Sequence, residues 1–268
     1  MLIAQISDLH LRPRGLPAIR VVETNMFAAR AVAALKALDP LPDVVLATGD
    51  IVNNGTPDEY AMAGEILGSL PMPVYAVPGN HDHRENFRSG LARFPGVTSH
   101  PRFVQYVVED HPVRLVALDT HIPGSSAGEL CDERLAWLEA TLAAERGKPT
   151  LLFMHHPPFV CGIGHMDKIR LLRGAERLEA IVRANPQVKA LTFGHHHRPI
   201  ETVFGGALAS IAPSIAHQVV VDLRPGEPDG QLTLEPPAYR LWLWRAERLV
   251  SHMAYVDRYQ GPFPFIAD

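Results

Sequence analysis

Five short apolar runs in this chain each stop at a polar cluster, and that repeated stop is the main pattern in the sequence. Ile3-Ala4-Gln5-Ile6 leads into Asp8-Leu9-His10, and Val44-Val45-Leu46-Ala47 leads into Gly49-Asp50. Val74-Tyr75-Ala76-Val77 passes Pro78 into Gly79-Asn80-His81-Asp82. Leu151-Leu152-Phe153 is followed by His155-His156, and Ala190-Leu191-Thr192-Phe193 by Gly194-His195-His196-His197. Short apolar runs bounded by turn residues read as buried strands.

Between these strands the apolar period changes from that of a strand to that of a helix. Phe27, Ala31, Leu35 and Leu38 recur at helical spacing and predict a helix over 21–38. Thr56-Pro57-Asp58-Glu59 is a helix start, with a capping Thr, Pro at the first position and Glu three residues on. Phe87, Leu91 and Phe94 fit a short helix within 84–101. Strands are expected at 103–109 and 113–118, then a helix capped by Asp132 that carries Leu135, Leu138 and Leu142. A long loop to about residue 173 precedes a helix near 175–184. Alternation of this kind predicts an α/β fold with parallel strands at its centre. Beyond residue 199 only short β-like runs appear, at 200–204, 207–211, 218–223, 239–245 and 249–256, with a loop or hairpin arm over 225–237.

Bulk composition narrows the class without naming a function. A chain of 268 residues, 47% hydrophobic and 20% charged, can bury one large core with or without a small appendage. A formal net charge of -4 and the absence of a Lys/Arg run give no reason to expect a nucleic-acid or anionic-membrane partner. The start is not signal-like and no apolar run is long enough to span a bilayer, so the expected compartment is the cytoplasm. Cys131 and Cys161 read as ordinary thiols. The bunching of the 14 histidines is the anomaly.

In open α/β sheets, ligands bind beyond the carboxyl ends of the strands, where every one of these clusters lies. On extended backbone, residues two apart share a side. Asp8 can then converge with His10, and His195 with His197, while His196 points elsewhere. His156 precedes Pro157, which restricts it to an extended conformation. Each motif alone is weak: Gly49-Asp50 is a turn, and three consecutive histidines can be a casual cluster. All five at strand ends read as one metal site.

The blocks D-x-H, G-D, G-N-H-D, a His after the fourth strand and G-H-x-H, in this order over residues 8–197, resemble the calcineurin-like metallophosphoesterases. Met154-His155-His156-Pro157-Pro158, Met166-Asp167 and Ala216-His217-Gln218 are similar to bacterial glycerophosphodiesterases and class III cyclic nucleotide phosphodiesterases of that superfamily. The resemblance implies a four-layer α-β-β-α sandwich of two mixed sheets. It implies a catalytic core over 1–199, with strands that complete the sandwich and a small β-rich cap, often dimerising, over 200–268. One metal would be held by Asp8, His10 and His197, the other by Asn80, His156 and His195, with Asp50 bridging. His81 would contact the phosphoryl group and protonate the leaving oxygen, and His217 would line the substrate side.

Two divalent ions spaced about 3.5–4 Å apart clamp the attacking and leaving oxygens and bring bound water towards a pKa of roughly 7. Oxygen and imidazole donors without thiolate favour Mn, Fe, Zn or Co. The implied reaction is hydrolysis of small phosphodiesters, 3′,5′-cyclic nucleotides or glycerophosphodiesters, by attack of a metal-bound hydroxide, in a homodimer or larger homo-oligomer. Trp242, Trp244 and Tyr255 suggest the dimer contact, and Phe159, Tyr239 and Trp242 are candidates for apolar substrate contacts. The competing readings are a metal-dependent phosphomonoesterase, a nuclease of the same superfamily and a non-catalytic metal-binding protein. Asp50-Ile51-Val52-Asn53-Asn54-Gly55 lacks the Arg that phosphoprotein phosphatases carry after the bridging Asp, and neither a proposed ligand nor His81 is missing. His121 and His165 have no assigned role, and Arg12, Arg14 and Arg20 read as solvated.

Overall fold

The structure is a computed structural model that describes residues 1–226 and 229–265. The first half of the chain forms β1 (Leu2–Ile6), α1 (Thr24–Lys36), β2 (Val44–Thr48), α2 (Pro57–Leu67), β3 (Val74–Val77), α3 (Arg84–Gly90), β4 (Tyr106–Val108) and β5 (Arg114–Ala117). Next come β6 (Gly128–Glu129), α4 (Asp132–Ala144), β7 (Thr150–Phe153), α5 (Gly164–Asp167), β8 (Leu171–Arg173), α6 (Ala175–Arg183) and β9 (Val188–Phe193). The remainder is β10 (Ile200–Phe204), β11 (Ala207–Ile211), β12 (Gln218–Val219), β13 (Leu232–Thr233), β14 (Ala238–Arg245) and β15 (Arg248–Tyr255).

Two mixed sheets carry the architecture. One has the order β15-β14-β1-β2-β3 and the other β10-β11-β9-β7-β5-β4. Strands β1, β2 and β3 are mutually parallel, as are β5, β7, β9 and β11, while β14, β15, β10 and β4 run antiparallel at the edges. Alternation along β7 sorts its side chains into two cores. Leu151 and Phe153 join the layer between the sheets, whereas Leu152 pairs with the outer layer under α4 and α6. Helices α1 and α2 cover the outer face of the first sheet, which completes the four-layer sandwich.

The strands expected beyond residue 199 are built into both sheets, and only β12 and β13 form a separate two-stranded arm. Helix α1 begins later than its apolar spacing predicts. Its buried stripe is Ala28, Ala31, Val32 and Leu35, with Phe27 half-exposed. Cys131, not Asp132, occupies the cap of α4. The short elements β6, β8 and α5 lie where the sequence suggests loops, because two to four residues carry no period that a sequence can display. No helix among the described residues is long and apolar enough to cross a membrane.

Gln5 is the one polar residue in β1 and joins the two sheets. It is fully buried, and its amide donates to Thr48 Oγ1 and the Phe193 carbonyl, both at 3.0 Å. Its oxygen accepts from Thr192 Oγ1 at 2.6 Å and from Trp242 Nε1 at 3.1 Å. All four hydrogen-bonding positions of the amide are used, so the polar group costs little to bury. Gln5→Leu strands the Trp242 N–H in an apolar layer, while the Thr192 hydroxyl keeps the Ser210 carbonyl as its acceptor. We expect a loss of about 2 kcal/mol, at roughly 1–3 kcal/mol for one unsatisfied buried group. Urea unfolding that leaves the midpoint within error of the parent would contradict this role.

Candidate metal centre

The strand ends of both sheets meet at one place, and the backbone there is unusual. Asp8, His10, Asp50, His195 and His197 all have positive φ, at 55°, 47°, 47°, 71° and 48°. The sequence reading expects extended backbone with alternate residues facing the same way. The chain instead turns left-handed at these five residues, which tips the side chain over the end of its own strand. For residues other than Gly such a conformation costs about 1–2 kcal/mol each, and such outliers cluster where function requires them.

Close packing fixes these turns. Gly49 has φ +90°, and a Cβ there would lie 2.3 Å from His155 Nδ1. A Cβ on Gly79 would lie 2.2 Å from Asp50 Oδ1. Asp82 ties the same loops together, accepting from Gly79 N at 2.8 Å, Ile51 N at 3.1 Å, Val52 N at 3.3 Å and the Tyr60 hydroxyl at 3.0 Å. Burial and the nearby Asp50 push its carboxyl up to about 7, against the pull of those donors. The reading of the sequence gave Asp82 no role, although its place next to Asn80-His81 was the available signal.

Two sets of donor atoms converge. In the first, His197 Nε2 lies 3.3 Å from Asp8 Oδ1 and 3.2 Å from His10 Nε2, which in turn lies 3.7 Å from Asp50 Oδ2. In the second, His155 Nε2 lies 3.4 Å from the same Asp50 Oδ2 and 3.2 Å from Asn80 Oδ1. His195 stacks beside it, with ring centroids 5.0 Å apart. Donors about 2.0–2.2 Å from a common ion sit a little over 3 Å apart, so both sets fit divalent cations.

The second set also holds His156, the ligand the sequence leads one to expect: a ring nitrogen of His156 lies within 4.8 Å of donor nitrogens of His155 and His195. Its Nδ1 is 2.7 Å from Thr120 Oγ1 and its Nε2 3.2 Å from the Ser126 carbonyl. The adjacent His155 faces Asp50 and Asn80, and Gly49 and Gly79 leave room for its ring.

Backbone carbonyls orient the rings. His155 Nδ1 donates to the Thr48 carbonyl at 2.8 Å, His197 Nδ1 to the His217 carbonyl at 3.0 Å and His195 Nε2 to the Ile169 carbonyl at 3.0 Å. Each bond selects a tautomer and leaves the other nitrogen for a metal. Burial opposes charge on these rings and holds His10 and His195 well below the usual histidine range. His155 and His197 are the exceptions. Burial lowers both, but the Asp8 charge and hydrogen bond raise His197, and the Asp50 charge and hydrogen bond raise His155 to about 9. Asp50 is itself held well below the carboxylate range, since His155, His81 and His10 overcome its desolvation.

Around this centre, His81 is exposed and donates from Nδ1 to the Asn53 carbonyl at 2.9 Å, while its backbone N–H donates to Asp50 Oδ1. Its ring lies edge-on to His10 at 4.7 Å. His217 is buried with its ring 4.7 Å from that of His197, and its Nδ1 has no hydrogen-bond partner. His121 is buried near Asp119 with an unpartnered Nδ1, and burial lowers it to about 4. His165 lies in α5, outside both donor sets. Arg12 is not solvated but bonds Glu59 Oε1 at 2.9 Å.

The three aromatic candidates for substrate contact are elsewhere. Tyr239 and Trp242 belong to the core between the sheets, and Phe159 packs on Phe193. With its indole N–H on Gln5, Trp242 is unavailable to a dimer contact as well.

The left-handed turns have a measurable consequence. His197→Gly and His197→Ala remove the same imidazole, but only Ala retains a Cβ at φ 48°. In metal-free protein the Gly variant should be the more stable of the two by about 1 kcal/mol. Equal chemical-denaturation midpoints would show that the turn carries no strain.

Comparison with known proteins gives the family and the fold. The family model described as calcineurin-like phosphoesterase matches residues 1–199. The chain is 38% identical over 266 residues to a probable glycerophosphodiester phosphodiesterase, GpdQ, of Arcobacter nitrofigilis, covering 99% of this chain and 97% of that protein. It is 37% identical over 265 residues to a probable cyclic nucleotide phosphodiesterase of Rhodopseudomonas palustris, covering 96% and 93%. Among solved structures, a dimetal phosphatase from Danio rerio superposes with a TM-score of 0.70 at 16% identity over 96% of each chain, which supports the fold. The chain belongs to the calcineurin-like phosphoesterase family.

Proposed function

We propose that this protein hydrolyses small phosphodiesters, with Asp8, His10 and His197 holding one divalent ion, Asn80, His156 and His195 the other, and Asp50 bridging them. The observation that carries the reading is the position of Asp50 Oδ2, 3.7 Å from His10 Nε2 and 3.4 Å from His155 Nε2, between the two donor sets. The relatives named as glycerophosphodiester and cyclic nucleotide phosphodiesterases support a diester substrate. So does formal charge: two divalent ions against Asp8 and Asp50 leave about two positive charges for a singly anionic diester. The donors are oxygen and imidazole nitrogen, which suit Mn, Fe, Zn or Co. Such ions supply a nucleophile at neutral pH and offset charge on the phosphoryl oxygens.

The chain's own residues do the rest. His81 stands at the exposed side of the centre with Nδ1 tied to the Asn53 carbonyl, so Nε2 is the nitrogen that carries a proton to the leaving oxygen. His217 presses on His197 and lines the substrate side. Asn80 contributes a neutral oxygen, which keeps the centre from losing net positive charge.

The deciding experiment pairs kcat/KM for glycerophosphodiesters and 3′,5′-cyclic AMP with metal analysis of variants. A ratio strongly favouring either substrate assigns the class, and inactivity on both with two ions bound defeats the diesterase reading. His156→Ala should lose one ion and activity. A His156→Ala protein that keeps both ions, with His155→Ala losing one, would assign the ligand to His155 instead. His81→Ala should keep its metal and lose about 10²–10⁴ in rate.

We further propose a homodimer through β15, an eight-residue edge strand whose Val250, Met253 and Tyr255 are exposed. A monomeric mass by light scattering would dispose of it.

A further inference from the structure

His196 lies between two proposed ligands yet takes no part in their site. It is completely buried, and neither of its ring nitrogens has a hydrogen-bond partner. It is the only imidazole among the described residues whose two nitrogen atoms are both buried from solvent and without a partner. A buried polar group normally finds a partner, and an imidazole left without one costs about 1–3 kcal/mol. What the ring faces is a thiol and a carboxylate: donor atoms of His196, Cys161 and Asp167 all lie within 4.8 Å of one another.

We propose that Cys161, Asp167 and His196 form a third cation site, separate from the two-metal centre and suited to zinc. Thiolate, imidazole and carboxylate are three of zinc's usual donors, and three protein ligands leave a fourth position for water. With metal–donor distances of about 2.0–2.3 Å, the donors need to contract by roughly an ångström or less from their widest separation. The donor groups of the main centre lie within the same 4.8 Å. Asp167 is pre-positioned, accepting from Cys161 N at 2.8 Å and Gly162 N at 2.9 Å through its two oxygens. Each oxygen keeps a lone pair for a cation. Burial and the Asp167 charge push the Cys161 thiol up to about 11, so the cation binds by displacing the thiol proton to solvent.

The location gives the ion a structural task. Cys161 and Asp167 lie in the segment that crosses over the centre, and the Ile169 carbonyl in that segment orients His195. His196 lies at the end of β9, between His195 and His197. An ion on all three donors ties the crossing segment to the strand end that carries two ligands of the main centre. The assignment does not depend on which phosphodiester the enzyme cleaves.

Cobalt(II) is the probe, because the main centre contains no thiolate. In the Cys131→Ser protein, loaded with its main-site metals, Cys161 is the one remaining thiol. Cobalt titration should produce a near-ultraviolet sulfur-to-cobalt charge-transfer band. Equilibrium dialysis against zinc should give three ions per chain, falling to two in Cys161→Ser, which retains phosphodiesterase activity. Absence of the band at saturating cobalt, or two ions per chain with Cys161 intact, would overturn the proposal. Either result leaves the reading of the main centre standing, since that rests on the two-ion content and on the His156→Ala variant.

Discussion

Buried imidazoles and carboxylates crowded within about 3–4 Å of one another are the constraint on which the rest of this structure depends. His10 Nε2 and His197 Nε2 approach to 3.2 Å, and Asp50 Oδ2 stands between His10 and His155. Without cations, the charge in this cluster is balanced only by proton distribution, which is why His155 is raised while His10 and His195 are lowered. Divalent ions satisfy the same donors at once. The fold must therefore hold several polar groups together before any ion arrives, and its local conformation shows how.

The holding is done by backbone more than by side-chain packing. Five left-handed residues end strands that are otherwise regular and buried, and Gly79 and Gly194 make room for two of them, Asp50 and Asp8, where a larger neighbour would clash. Asp82 and Gln5 act one step further out. Asp82 clamps the Asp50 loop to the Gly79-Asn80-His81 loop through four donors, and Gln5 pins the two sheets beneath them. Neither touches the donor sets, yet both fix the distance between loops that supply them. Positional demands of this kind, within about 0.5 Å, are what a preorganised metal site requires.

Chemistry and selectivity are separated in space. The donor sets come from the parallel strands of both sheets, whose ends are rigid because each strand is paired on both sides or covered by a helix. Loops and short elements surround them: the segment that contains α5 and β8, the β12–β13 arm and the region near α3. Variation in those surroundings can change which diester is accepted without moving the ligands, a division common to enzymes built on open α/β sheets.

The sequence by itself determined the order and type of the principal elements, since strand and helix periods survive in any sheet-and-helix packing. It also determined that five strand ends share one site, because Asp8, His10, Asp50, Asn80, His195 and His197 are metal-ligand types at a repeated structural position. Tertiary structure decided what periodicity cannot encode. It brought His155 to Asp50 and Asn80 beside His156, where Gly49 and Gly79 leave room for its ring. It replaced extended alternation with left-handed turns, whose dihedral angles leave no mark in a non-glycine sequence. It moved Trp242 from a supposed surface contact to the core, where a buried glutamine supplies the partner its indole N–H needs. It also isolated His196 beside Cys161 and Asp167, a proximity set by how a loop folds over a strand end and visible only once both are in place.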